Sequence, residues 1–132
     1  MFNKDVLKGK KILVTGGGTG LGKEMSEHYV QHGADLVICG RRESVLAETA
    51  SEFKDKYDVD VRYQPLDIRS PQDVEDFIDA VFEEGPLHGL VNNAAGNFIS
   101  PTKDLSARGF DAIANIVSVS YTHLTLPTIC SV

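Results

Sequence analysis

Basic residues are scarce in this chain. Lys and Arg number 13 against 19 Asp and Glu, so the 132 residues carry a formal charge of −6 and an isoelectric point near 5.1. A nucleic-acid surface needs clustered Lys and Arg, and the charge balance excludes that class of partner. Cysteine is scarcer still. Cys39 and Cys130 stand without ligand spacing, which excludes a disulfide scaffold and makes a reducing compartment the simplest reading. Long apolar runs are absent too: the longest, such as residues 36–39, fall far short of the ~20 residues a membrane-spanning helix requires. The opening MFNKDVLKGK lacks the apolar segment of a secretory signal, so a cytoplasmic location is expected. What remains is 42% hydrophobic and 24% charged, free of repeats and low-complexity segments, and sufficient for one domain around one core.

Short apolar runs alternate with amphipathic stretches along the chain. Lys11–Thr15 (KILVT) reads as a buried strand that runs into a glycine cluster. Residues 20–32 follow as a helix, with Leu21, Met25, His28, Tyr29 and His32 at helical spacing and Gly33 as its stop. Asp35–Gly40 is a second strand. Glu43–Tyr57 is a charged helix with Val45, Leu46, Ala50 and Phe53 along one side. Residues 59–64 read as a third strand. Ser70 and Pro71 then open a helix to about Glu84 that carries Val74, Phe77, Ile78, Val81 and Phe82. Residues 89–93 form a fourth strand and 105–117 a further helix. Buried strands joined through helices pair in parallel by right-handed crossovers. The fold class is therefore α/β, a Rossmann-type doubly wound parallel sheet in the order 3-2-1-4, truncated after the fourth strand and the helix that follows it.

The glycine cluster carries the first functional signal. Gly16, Gly17, Gly18, Thr19, Gly20 and Leu21 lie between the first strand and the first helix. Glycines there permit positive φ and let a pyrophosphate reach the backbone, while loop N–H groups and the helix N-terminus favour its charge. The alternative is a tight turn without a ligand, but context and spacing both fit a dinucleotide fold. The end of the second strand selects the dinucleotide. A carboxylate there suits the ribose of NAD, whereas this strand ends Cys39-Gly40-Arg41-Arg42 with no acid before Glu43. Guanidinium groups suit a 2′-phosphate, so NADP(H) is the expected cofactor. Arg41 and Arg42 as plain solvated residues at a helix start remain the alternative.

At this point the sequence resembles a known family. TGGGTGLG, Asp67 after the third strand, and Asn92-Asn93-Ala94-Ala95-Gly96 after the fourth resemble the short-chain dehydrogenase/reductase family. GGGTGLGK together with NAAGNFISPT at residues 93–102 is similar to its 2,4-dienoyl-CoA reductase branch, and the likeness extends over residues 8–117. The resemblance implies that residues 16–21 cradle the pyrophosphate and that Arg41, with Arg42, takes the 2′-phosphate. It assigns Asp67, with Ile68 beside it, to the adenine, and Asn93, Ala94, Ala95 and Gly96 to the ribose side. In the dienoyl-CoA branch the asparagine after NAAG belongs to the active site, here Asn97, as an oxyanion-type donor. Arg69, Phe98 and Ser106 fall where that branch contacts acyl-CoA. The implied parent is an NADPH-dependent homotetramer that reduces 2,4-dienoyl-CoA thioesters to 3-enoyl-CoA. A 3-oxoacyl or other ketone reductase of the same family, or a non-catalytic nucleotide-binding module, is the alternative. In many members an active-site asparagine stands seven residues after the aromatic of the fourth helix. Counted from Phe110 that position is Val117, and Asn115 is two residues off.

The same family chemistry needs a Tyr-x-x-x-Lys pair, in which lysine lowers the tyrosine pKa. The four tyrosines are followed four residues on by Gly33, Val61, Asp67 and Thr125, so the pair is absent. Residues 1–117 are thus expected to form the N-terminal, NADP-binding half of a larger domain. Residues 118–132 are expected to be a non-native read-through tail, because VSYTHLTLPT at 119–128 is the codon-by-codon translation of a transposon-type sequencing adapter. His28 and His32, four apart on a helix, lack a third ligand, and no metal site is expected. Asp73, Glu75, Asp76 and Asp79 read as a solvated helix face.

Overall fold

A computed structural model describes residues 4–94 of the chain. These residues form β1 (Lys11–Thr15), α1 (Gly20–Gln31), β2 (Asp35–Gly40), α2 (Glu43–Tyr57), β3 (Arg62–Pro65), α3 (Pro71–Glu83) and β4 (Gly89–Val91). The strands pair in parallel in the order β3-β2-β1-β4, with Leu13 opposite Val37 on one side and Leu90 on the other. The expected helix at 105–117 lies outside the described residues.

The period of two along each strand divides the core. Leu13, Val37 and Cys39 point to the α3 face, where they meet Leu66, Ile68, Val74, Phe77, Ile78 and Val81. Ile12, Val14, Leu36 and Ile38 point to the other face, against Val30 of α1 and Leu46 and Phe53 of α2. Both faces of the sheet are covered, so β1 and β2 read as continuous apolar runs.

Two strands differ from their expected limits. Val59 and Val61 pack, half-buried, against the α1–α2 core instead of joining the ladder, and β3 begins only at Arg62, opposite Val37. β4 ends at Val91, two residues early, because the N–H of Asn93 turns to the Thr15 hydroxyl. The larger correction concerns α1. The face expected from Leu21, Met25, His28, Tyr29 and His32 is not the buried one: Leu21 is 66% exposed, and the buried stripe is Gly22, Ser26 and Val30. Small side chains at i and i+4 let the helix approach the sheet closely, and the larger residues are left around the flanks. On α2 the buried positions are Leu46, Thr49 and Phe53, with Ala50 half-buried. On α3 the expected stripe is the buried one, and Ser70 stands at the N-cap before Pro71 without a side-chain cap bond.

Ser26 is fully buried, and its Oγ has no hydrogen-bond partner among the described residues. A desolvated hydroxyl without a partner costs free energy, and alanine fits the same space with a better helix propensity. Ser26→Ala is expected to raise stability by about 1 kcal/mol in urea unfolding, whereas Ser26→Leu should lower it by about 1–3 kcal/mol through overpacking.

Candidate nucleotide-binding site

The connections leaving the C-terminal ends of all four strands converge on a cleft of about 280 Å³. It opens where β1 has β2 on one side and β4 on the other, the point at which the strand order reverses and ligands enter doubly wound sheets. Gly16, Gly18 and Thr19 line one side, and Gly40, Arg41 and Arg42 follow from the end of β2. Leu66, Asp67, Ile68 and Arg69 come from beyond β3, and Asn93 and Ala94 from beyond β4.

The glycines do different jobs. Gly16 turns the chain at φ +68° and donates its N–H to the Cys39 carbonyl at 2.8 Å, which ties the loop to β2. Gly17 is buried beneath the loop, where a Cβ would run into the Ile38 side chain, so packing against β2 and not a ligand forbids a side chain there. Gly20 opens α1 at φ +55°, and Leu21 stands exposed on its first turn; neither lines the cleft. Gly22, the last glycine of the TGGGTGLG motif, lies in the tightest place. A Cβ on it would collide with the Gly16 carbonyl oxygen and with Asn93 Nδ2.

Two residues escaped the sequence reading. Thr15, fully buried at the end of β1, accepts hydrogen bonds through Oγ1 from the N–H groups of Asn93 and Ala94, both at 3.0 Å. Asn93 in turn donates from Nδ2 to the Gly16 carbonyl at 3.3 Å. The β1 and β4 exits are thereby locked together. Thr49, also buried, donates to the Gly18 carbonyl at 2.9 Å. A threonine closing an apolar strand, and another inside a helix's apolar stripe, were the available signals.

The cleft is electropositive within an acidic protein. Arg41, Arg42 and Arg69 bring three guanidinium groups against the single carboxylate of Asp67. Both arginines at the end of β2 are exposed, and Arg42 occupies the N-cap of α2. Asp67 Oδ1 accepts from the Arg69 N–H and Nε at 3.0 and 2.9 Å, and Oδ2 accepts from Nη2 at 2.7 Å. These bonds to Arg69, helped by the nearby charge of Arg41, hold the Asp67 carboxyl down at about 2 despite some burial. Arg69, expected at the acyl-CoA, thus stands in the same cleft as the glycine loop. Cys39 contributes to the floor, but burial pushes its thiol up to about 12, so it stays protonated and is no nucleophile at neutral pH. Ala95, Gly96, Asn97, Phe98 and Ser106 lie outside the described residues. At the C-terminal end of α1, Nδ1 of the C-cap residue His32 is 2.7 Å from the His28 carbonyl, and among the described residues no three His, Cys, Asp or Glu cluster to hold a metal.

The profile described as short chain dehydrogenase matches residues 10–129. The peroxisomal 2,4-dienoyl-CoA reductase of Arabidopsis thaliana is 38% identical over 119 residues, covering 89% of this chain and 40% of that protein. The peroxisomal 2,4-dienoyl-CoA reductase of Mus musculus is 34% identical over 122 residues, with coverages of 90% and 41%. Among solved structures, the citronellol catabolism dehydrogenase of Pseudomonas aeruginosa PAO1 superposes with a TM-score of 0.91 at 29% identity, covering 98% of this chain and 53% of that one. The chain spans about two fifths of the length of these curated relatives.

The Asp67–Arg69 pair gives a direct test of the cleft's electrostatics. An NMR titration should place the Asp67 midpoint near 2, and Arg69→Gln should return it toward the ordinary carboxylate range. Because the folded value lies below the unfolded one, the pair's contribution to stability is present above about pH 4 and is lost as pH falls toward 2. An unchanged midpoint in Arg69→Gln would show that the pair does not control the carboxyl.

Proposed function

The chain belongs to the short chain dehydrogenase family, and on that premise we propose that it is the NADP(H)-binding half of a reductase acting on 2,4-dienoyl-CoA thioesters. The observation that carries the reading is the glycine-walled cleft at the strand-order reversal, with Arg41 and Arg42 at its rim. Gly16 and Gly18 line the cleft, where the loop backbone and the α1 N-terminus would hold a pyrophosphate. Arg41 and Arg42 would take the 2′-phosphate by charge and forked donors. Asp67 would accept from the adenine amino group beside the apolar wall of Ile68, and Asn93 and Ala94, continued by Ala95 and Gly96, would line the ribose.

Bound there, the dinucleotide supplies a hydride for the far carbon of the conjugated thioester. The Asn97 amide would donate to the thioester oxygen as negative charge develops on it. Arg69, Phe98 and Ser106 would contact the acyl-CoA. No tyrosine in the 132 residues has a lysine four positions on, so the proton-handling pair would come from beyond them, in a homotetrameric parent, and this chain alone would not turn over. The same absence favours a second reading, a nucleotide-binding module without catalysis. A reducing compartment, the cytoplasm, accords with Cys39 as a buried free thiol.

Arg41→Ala should raise the Kd for NADPH about tenfold to a hundredfold and leave that for NADH nearly unchanged, read by fluorescence titration. Equal weakening of both dinucleotides would remove the 2′-phosphate role. We take residues 118–132 as read-through, and resequencing the source DNA across the Val117 codon tests this. A frame continuing into a Ser and a Tyr-x-x-x-Lys pair supports the parent reductase, whose turnover of a 2,4-dienoyl-CoA against a 3-oxoacyl thioester then separates the substrate classes. Recovery of the same fifteen codons from intact genomic DNA would leave the binding module.

A further inference from the structure

We propose that Thr49 is a positioning residue for the cofactor pyrophosphate, acting from α2 through the glycine loop; the inference rests on the dinucleotide reading of the cleft. Thr49 is 1% exposed and lies between Leu46 and Phe53 on the stripe that α2 turns to the core. An apolar residue would fill that position without the cost of desolvating a hydroxyl. A helical threonine commonly satisfies its hydroxyl on the preceding turn of its own helix. This one donates its single proton across to the Gly18 carbonyl of the loop at 2.9 Å.

The consequence follows from peptide geometry. The Gly18–Thr19 peptide is planar and trans, so its C=O and N–H point in opposite directions. With the carbonyl drawn down onto buried Thr49, the Thr19 N–H is turned away from the core, on the residue that lines the cleft and caps α1. Gly18 also rests against Val45 and Leu46, where a Cβ would stand 3.1 and 3.2 Å from their side chains, so the loop is seated on α2 and has little freedom to slide. The hydroxyl then fixes the one remaining variable, the rotation of the peptide plane. The first turn of α1 contains no acidic residue to engage its free N–H groups, which leaves them to an anion.

The test compares wild type, Thr49→Val and Thr49→Ser as the 132-residue chain, titrated with NADPH and with adenosine 2′-monophosphate. The second ligand keeps the adenine and the 2′-phosphate but has no pyrophosphate. Thr49→Val should weaken NADPH about tenfold and leave adenosine 2′-monophosphate within about twofold of wild type. Thr49→Ser, which restores the hydroxyl, should recover most of the NADPH affinity. Wild-type affinity for NADPH in Thr49→Val, equal weakening of both ligands, or failure of serine to rescue would overturn the proposal. If wild type itself binds neither ligand, the dinucleotide reading falls first, and the inference falls with it.

Discussion

The Gly16 carbonyl oxygen occupies the space that any side chain on Gly22 would need, and the geometry of the cleft depends on this contact between loop and helix. Helix α1 can begin so near the end of β1 only because position 22 has no Cβ. Asn93 Nδ2 reaches the same carbonyl from the β4 side, so one oxygen is the meeting point of three elements. Thr15 completes the junction by collecting the N–H groups of Asn93 and Ala94. These bonds join residues 77 to 79 positions apart, and they hold open the point where the sheet reverses its order. Ser26, one turn further along α1, extends the small-residue track that brings the helix down onto the sheet.

Charge is arranged against the protein's own average. A chain with net charge −6 places three arginines around one carboxylate at its cleft, and an anionic ligand meets a local attraction that the overall charge would not predict. The acids are gathered elsewhere. Glu52 is paired with Lys23 at 2.5 Å and with Lys56 at 2.9 Å, which holds its carboxyl at about 2. Tyr57 donates to Glu27 at 2.5 Å, so the same network ties α1 to α2 on the outer surface. Exposed pairs of this kind contribute little to stability individually. Their effect is to keep α2, and with it Thr49 and the two rim arginines, in register with α1.

Much of the fold was legible because alternation and helical spacing respond to the same burial that shapes the structure. The strands β1 and β2 and the α3 stripe needed no tertiary information, since their apolar residues alone define the inner faces. The reading failed where small or polar residues are the ones buried. Gly22 and Ser26 carry too little apolar surface to mark a face, so the neighbouring Leu21 and Met25 drew the stripe to the wrong side of α1. Val59 and Val61 looked like strand residues but spend their apolar surface on the α1–α2 core, outside the ladder. At the site, the glycines and the arginines were visible as residue types with an evident chemistry. The roles of Thr15 and Thr49 were not, because each depends on a partner distant in sequence, and a buried hydroxyl carries no meaning until its acceptor is known.

Parallel pairing explains why one contiguous stretch of chain can build this cleft. Each crossover helix returns the chain to the end of the sheet where the strands begin, so every strand delivers its following loop to the opposite, shared end. Residues 16–19, 41–42, 67–69 and 93–94 arrive there in sequence order, each from a different strand exit. The contacts that fix them, from Thr15, Thr49 and Asn93, all close within the same residues. The described walls of the cleft are therefore built from strand ends. The topology thus gathers four separate stretches of sequence at one end of the sheet, and the bonds from Thr15 to the exit of β4 tie the first of them to the last.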